Sequence, residues 1–470
     1  MPRDLMSRNL LQPIPRPPTR TLTTRVRFVA RVAALALLGC HAMALATTQK
    51  APACHVGAYA LASGEVLDIS ATGKPGVLRW HRMDGRTGTL ESQADGVWRG
   101  QTGWTTRADP VAVTFGACGA GDIQWGDVSA RRLVFDVTDT AFQSGDVSLR
   151  GRLVMPPGTA TVPVVVLVHG SERYSGVDLY SEQHLLPANG IGVFVYDKRG
   201  TGGSSGAYTQ DFSALAGDAV AALAEARRLG GARVSRIGLH GSSQGGWVAP
   251  LAATRAPVDY VVVAYGLAES PADEDAAQVM LDLTAAGHGA ETLALARTVT
   301  EATGDVMSTR SPRAYAALGE VRRAHRRAPW WDDMQGEYTG QLTRYPVWLT
   351  RLVLPRFDQG TPWRHDPMPV LRSVKAPQLW MLAALDAEAP LTGTIERLAT
   401  LAEQGRPMTV AVFPDTDHGL VEFETAADGT RTRTRHADGV LRMTIDFIRD
   451  GRLGPVPYGR AVVGSGPSPP

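Results

Sequence analysis

The chain has 470 residues, 44% of them apolar, and a formal net charge of +2. That length exceeds one ordinary compact domain, so two or three units are expected, each able to bury a core. Seven arginines and one aspartate fall within the first 46 residues, leaving a net charge of −4 on the remainder, and a slightly acidic body excludes the electrostatic footprint of a nucleic-acid binder.

Residues 1–46 read as an export signal, with a periplasmic or secreted destination. A basic stretch ends at Arg25–Arg31, an apolar run starts at Val32, and Ala44-Leu45-Ala46 offers an A-x-A cleavage site. The run ends by Ala46 and contains His41. It is shorter than the ~20 residues of a membrane span, so no stable transmembrane anchor is expected. Two alternatives compete. Leu37 to Cys40 resembles a bacterial lipobox, which would make Cys40 a lipidation site, and Met6 competes with Met1 as the start. After cleavage only Cys54 and Cys118 remain. An even pair in an oxidising compartment reads most simply as one disulfide, with two buried thiols as the alternative.

Residues 47–128 read as a small β-rich domain. Short alternating runs are separated by Gly, Asp and Ser, and Asp84-Gly85 is a hairpin-turn signal. Tyr59, Trp80, Trp98 and Trp104 are the expected core.

From about residue 129 to 455 the pattern changes. Arg131–Val137 and Gly145–Pro156 read as a hairpin. Nearly continuous apolar runs follow at Val162–His169, Ile191–Tyr196, Arg236–Gly241, Asp259–Gly266, Pro377–Leu385 and Met408–Pro414. Such runs mark strands buried on both faces of a parallel sheet. Helical patterns alternate with them, as at Asp211–Gly230, and the alternation predicts an α/β fold. Residues 268–366 break it with amphipathic helices and no strand, which predicts a helical cap at the sheet's C-terminal edge. Residues 456–470 read as a disordered tail.

The chemistry centres on Gly241-Ser242-Ser243-Gln244-Gly245, a G-x-S-x-G pattern with Ser243 central, set between a strand and a helix. In that turn the nucleophile sits on a strained bend, and flanking glycines let the neighbouring backbones pass. A serine hydroxyl also needs a base oriented by an acid, in the chain order Ser, acid, His. Asp386 lies in the turn after a late strand, with Glu388 as the fallback. His418 follows the last run, and Asp415 and Asp417 lie too near it to orient it. Oxyanion donors are expected from the backbone N–H groups of Gln244 and Ser171. His169 reads as a loop organiser and His240 as buried in the sheet. Asp197–Gly206 is glycine-rich but lacks both the phosphate-loop ending and the dinucleotide spacing. No HExxH or CxxC spacing occurs, so neither a cofactor nor a metal is required.

In order and spacing, Val168–Ser171, Tyr196–Ser204, Gly241–Trp247, Leu385–Pro390 and Asp417–Leu420 resemble the motifs of the α/β-hydrolase superfamily. The resemblance is to exported bacterial esterases and serine-peptidase-like members, and it covers Arg131 to Arg452. It implies Ser243, Asp386 and His418 as a catalytic triad and the Ser171 and Gln244 amides as the oxyanion hole. It also implies Asp197 and Arg199 as structural partners holding the adjoining loop. Glu172 departs from the pattern, since relatives often carry glycine there. It would restrict the pocket, meet a cationic substrate group or simply face solvent. The implied reaction is hydrolysis of a small-molecule carboxylic ester through an acyl-enzyme. A peptidase or thioesterase using the same groups, and a non-catalytic binding protein on the same scaffold, are the alternatives.

Overall fold

The computed structural model describes residues 53–118 and 121–465. The expected export signal with Cys40, and residues 466–470 of the expected tail, lie outside the described residues.

The N-terminal unit is a closed barrel of eight antiparallel strands, from β1 (Gly57–Leu61) to β8 (Val128–Arg132). Pairing of β1 with β8 closes it and leaves no free sheet edge. Tyr59, Trp80 and Trp98 are buried in its core. Trp104 is not. It is 39% exposed and carries the Arg79 guanidinium 4.5 Å from its ring centre, while Trp125 fills the core in its place. Cys54 and Cys118 form a disulfide across this unit. His55 converges with the two sulfurs in a metal-like cluster, but the disulfide occupies both thiols.

The expected strand at Arg131–Val137 is divided. Arg132 is taken up in closing the barrel, opposite Tyr59, so the next strand starts only at Asp136. A hairpin, β9 (Asp136–Ser144) and β10 (Val147–Met155), then leads into the main sheet. Its parallel strands are β11 (Val162–Val168), β12 (Gly192–Tyr196), β13 (Val234–Ser242), β14 (Val261–Ala264), β15 (Gln378–Ala383) and β16 (Met408–Phe413). A short side sheet follows, with β17 (Thr416–Asp417), β18 (Val421–Thr425) and β19 (Arg431–His436). The last strand, β20 (Val462–Ser465), pairs antiparallel with β16. This corrects the expectation of disorder from residue 456: the outer edge of β16 is an unpaired ladder, and the valines of the tail supply its partner. The main sheet runs β20-β16-β15-β14-β13-β11-β12-β10-β9.

Helices α1 (Gly176–Leu179) and α2 (Glu182–Leu185) follow β11, and α3 (Phe212–Gly230) follows β12. Asp211 caps α3 by accepting from the Ala214 N–H at 2.9 Å. Helix α4 (Gly245–Ala253) follows β13. Between β14 and β15 come α5 (Pro271–Ala285), α6 (Ala290–Thr309), α7 (Pro312–His325), α8 (Thr339–Arg344), α9 (Val347–Val353) and α10 (Met368–Ser373). Helices α5 to α9 build two small apolar cores of their own. The inserted segment meets loops of the main body: the Gln278 side chain donates to the Glu388 carbonyl, and around Gln359 the Gln210 N–H donates to its carbonyl at 2.7 Å and Thr361 Oγ1 donates to Gln210 Oε1 at 2.5 Å. Helices α11 (Thr392–Glu403) and α12 (Val440–Asp450) close the order. Helices α3, α4, α10 and α11 cover one face of the sheet, and α1 and α12 cover the other.

The barrel is tied to this body by buried polar contacts. Asp68 accepts from His81 at 2.8 Å within the barrel and from His184 of α2 at 2.7 Å. The His436 N–H of β19 donates to the Gly85 carbonyl at 2.9 Å.

The disulfide closes a loop with a sequence separation of 64, a constraint worth roughly 4 kcal/mol in the chain-entropy model. Replacing both cysteines, Cys54→Ser with Cys118→Ser, is expected to lower the urea midpoint of the barrel's tryptophan-fluorescence transition. Reductant should shift the unsubstituted protein alike; an unchanged midpoint in both would refute the stabilising role.

Candidate active site

Strand β13 ends at Ser242, and Ser243 turns the chain sharply into α4. Its φ is 51°, the left-handed region that a residue with a side chain enters at a cost of about 1–2 kcal/mol. Two glycines make the turn possible. A Cβ on Gly241 would lie 2.3 Å from the Gly245 carbonyl oxygen, and one on Gly245 would lie 2.7 Å from the Val168 carbonyl oxygen. Ser242, by contrast, remains in the ladder opposite Ala264.

The Ser243 Oγ lies 3.1 Å from His418 Nε2. The other ring nitrogen, Nδ1, lies 3.0 Å and 3.3 Å from the two oxygens of Asp386. Asp386 is buried in the turn after β15, and its Oδ1 also accepts from the backbone N–H groups of Glu388 and Ala389 at 3.0 and 2.7 Å. Glu388 sits on the opposite side of the imidazole, 3.7 Å from Nε2. It therefore faces the serine side of the ring and cannot orient Nδ1. Asp417 accepts from the Ala387 N–H at 3.0 Å and pairs with Arg431 at 3.2 Å, which fastens the His418 turn to the Asp386 turn. Tyr265 packs edge-on against His418, with ring centres 4.9 Å apart.

Burial disfavours a proton on His418, but the hydrogen bond to Asp386 and the charges of Asp386 and Glu388 outweigh it. The imidazole pKa therefore lies above its ordinary 6.5.

The loop after β11 lies beside the elbow. A Cβ on Gly170 would be 3.4 Å from the Ser243 Cβ. His169 is buried and contacts the Tyr196 carbonyl through Nε2 at 2.5 Å. Burial lowers its pKa to about 4, so it stays neutral. Tyr208 donates to the Ser171 carbonyl at 2.6 Å, and Lys198 donates to the Gly170 carbonyl. Glu172 is half-buried and accepts from the Tyr180 hydroxyl. Gln244 opens α4, whose first N–H groups have no partner inside the helix.

Asp197 and Arg199 hold their loop separately. Asp197 accepts from Ser175 Oγ at 2.6 Å, the Val177 N–H at 3.1 Å and the Gly203 N–H at 2.8 Å. Arg199 pairs instead with Asp218 of α3 at 2.6 Å. His240 is buried in β13. The sequence reading missed Lys198, Tyr208 and Tyr265. Only Lys198 carried a signal, as a lysine at a buried strand end within a glycine-rich loop.

Acidic groups from the cap and the Asp386 turn crowd the same region. Burial and the charges of Glu337, Glu388 and Asp386 hold the Glu274 carboxyl well above its ordinary pKa. Glu337 is exposed, but lost hydration of its carboxyl and the charges of Asp275 and Glu388 push its pKa up to about 7. Asp275 pins this segment by accepting from the N–H groups of Tyr338 and Thr339 at 2.8 and 3.0 Å.

The sequence model of the alpha/beta hydrolase family matches residues 165–431. Among solved structures, an acylaminoacyl peptidase of Pyrococcus horikoshii is similar at 16% identity and a TM-score of 0.42, covering 81% of this chain. The chain spans only 56% of the length of that peptidase. An esterase of Pyrococcus furiosus is similar at 16% identity and a TM-score of 0.39, over 60% of this chain and 83% of its own. No curated protein matches.

Removing the charge on Asp386 leaves desolvation to dominate His418. The Asp386→Asn variant is expected to move the His418 imidazole titration, followed by NMR of histidine-labelled protein, to lower pH. An unmoved titration would show that Asp386 does not govern this histidine in solution.

Proposed function

The chain belongs to the alpha/beta hydrolase family, and from that premise we propose that it is an exported serine hydrolase that cleaves carboxylic esters through an acyl-enzyme. The observation that carries the proposal is the continuous contact from Ser243 Oγ through His418 to Asp386, at 3.1 and 3.0 Å, on a strained strand-to-helix turn.

Ser243 attacks the ester carbonyl while His418 Nε2 takes its proton. Asp386 holds Nδ1 as the donor side of the ring and stabilises the imidazolium. The N–H groups of Ser171 and Gln244 receive the oxyanion. His418 then returns the proton to the leaving alcohol. Water repeats the sequence on the acyl-enzyme and regenerates Ser243. The disulfide supports export, being the chemistry of an oxidising compartment. Among the described residues no helix is long and apolar enough to cross a membrane.

A peptidase reading has one observation in its favour. The acidic groups Glu274, Glu337 and Glu388 around the site would suit a substrate ammonium.

A fluorophosphonate is expected to label Ser243, mapped by peptide mass, with no adduct in Ser243→Ala. That variant should lose ester hydrolysis by ~10³-fold or more. An active Ser243→Ala, or an adduct elsewhere, would sink the proposal, and a matched set of ester and peptide substrates separates the two readings. Charge selectivity gives a second check. Glu337 becomes anionic as pH rises through about 7, so the kcat/KM ratio of a cationic over an anionic ester should grow between pH 6 and 8, by about threefold for one charge at several ångströms in wet surroundings. Glu337→Gln should flatten that growth; a ratio that rises equally in the variant would remove Glu337 from the account.

A further inference from the structure

Lys198 is a buried cation that the mechanism above does not use. It follows β12, and its residue is 2% exposed. Among the described residues no carboxylate lies within ion-pairing distance of its Nζ. Its contacts are the Gly170 carbonyl, Gln244 Oε1 at 3.4 Å and the face of Tyr208, 5.0 Å from the ring centre. An ammonium brought out of water without a counter-ion is costly, so what it touches matters.

Both of its hydrogen-bonding partners border Ser243: Gln244 follows it in the chain, and Gly170 of the β11 loop lies against its side chain. The Gly170 carbonyl and the Ser171 N–H belong to one peptide unit. In a planar trans peptide the C=O and N–H point in opposite directions. A cation fixed at the carbonyl oxygen therefore directs the Ser171 N–H away from Lys198. It also draws electron density toward that oxygen, which makes the N–H a stronger donor. The same peptide lies against the nucleophile, as the close approach of Gly170 to Ser243 shows. Gln244 Oε1 leans on the same ammonium, and the Gln244 N–H is the second oxyanion donor. Tyr208 holds both parts of this arrangement, through its ring against Lys198 and its hydroxyl on the Ser171 carbonyl.

We propose that Lys198 is the positioning residue of the oxyanion hole, setting the direction and strength of the Ser171 and Gln244 N–H donors through the Gly170 carbonyl and the Gln244 side chain. The inference rests on the serine-hydrolase reading.

The charged and titratable groups around Lys198 are His169 at the end of β11, which burial keeps neutral, Glu172 and Arg173 of the loop that follows, Asp197 beside it in the chain and Tyr208. Burial lowers the Lys198 pKa to about 8, with Glu172 opposing and Arg173 adding to the shift. An oxyanion donor acts on the transition state, so the ammonium should appear in kcat and not in KM. The protein should therefore lose kcat as pH rises through about 8.

The test compares the full chain with Lys198→Met, counting active sites by the end-point of fluorophosphonate labelling. Removing one oxyanion donor outright costs ~10²–10³ in kcat, so misaiming it is expected to cost ~10–100-fold per titrated site. KM should stay within about twofold, a trifluoromethyl ketone should weaken in parallel with kcat, and the alkaline limb should vanish. A merely structural lysine would instead lower the number of titrated sites. Unchanged kcat per site, beside a labelled unsubstituted protein, overturns the inference alone. No label on the unsubstituted protein overturns the serine-hydrolase reading and the inference with it. If Lys198→Met does not fold, the unsubstituted protein decides: an alkaline limb near pH 8 in kcat but not in KM upholds the role, and a kcat flat to pH 10 overturns it.

Discussion

Four backbones meet at the end of β13 with no space between them for a side chain. Gly241 presses on the first turn of α4, Gly245 presses on the end of β11 at Val168, and Gly266 presses on Gly246 and the Ser243 carbonyl. This contact keeps Ser243 in a left-handed conformation, against a local preference of about 1–2 kcal/mol. It also fixes the distance from the elbow to the β11 loop. The strand order makes the same point from outside. Strands β11 and β13 are neighbours, and the chain leaves β11 toward β12 on one side and β13 toward β14 on the other, which opens a crevice between their C-terminal ends. The Ser171 loop and the Ser243 turn are the two sides of that crevice.

Buried carboxylates of the body and the cap are held largely by backbone N–H groups. Asp386 takes two from its own turn, Asp197 takes one from α1 and one from its own loop, and Asp275 takes two from the cap. Backbone donors of this kind stabilise the charge while fixing the conformation of the loop that supplies them. Asp386 thus faces His418 from a turn that its own charge helps to shape. Asp417 repeats the device one step away by reaching from beside His418 to Ala387. Asp386 and His418 are carried on loops that restrain each other.

Much of this was legible in the sequence because it follows from periodicity and crowding. Strands buried on both faces write themselves as runs such as Val162–Val168, and the elbow writes itself as glycines at fixed offsets from one serine. Asp386 and His418 were legible because each follows a strand in the expected order, and the structure brings both to Ser243. What escaped depends on partners distant in the chain. The exposure of Trp104 is set by its contact with β19, more than 300 residues later; the Trp104 N–H donates to the Arg433 carbonyl at 3.2 Å. Strand β20 forms because β16 offers an edge, and no local pattern in the tail announces that. Lys198 carries only the weak signal of a lysine at a buried strand end, and its partner Gly170 is 28 residues away in the chain.

The barrel then ceases to look like a separate module. His418 stands between β17 and β18, and β18 pairs with β19. The outer edge of β19 lies against the barrel: the His436 N–H meets the Gly85 carbonyl, and the Gly103 backbone packs so closely on Thr434 that a Cβ there would lie 2.0 Å from its carbonyl oxygen. Arg107 and Glu424 add an exposed ion pair at 2.6 Å, a contact of the kind worth little by itself. The close-packed backbones and the buried Asp68–His184 contact carry the attachment. The segment that follows the histidine is thus braced on the N-terminal unit. Bracing of this kind couples the packing of the barrel to the turn that carries His418.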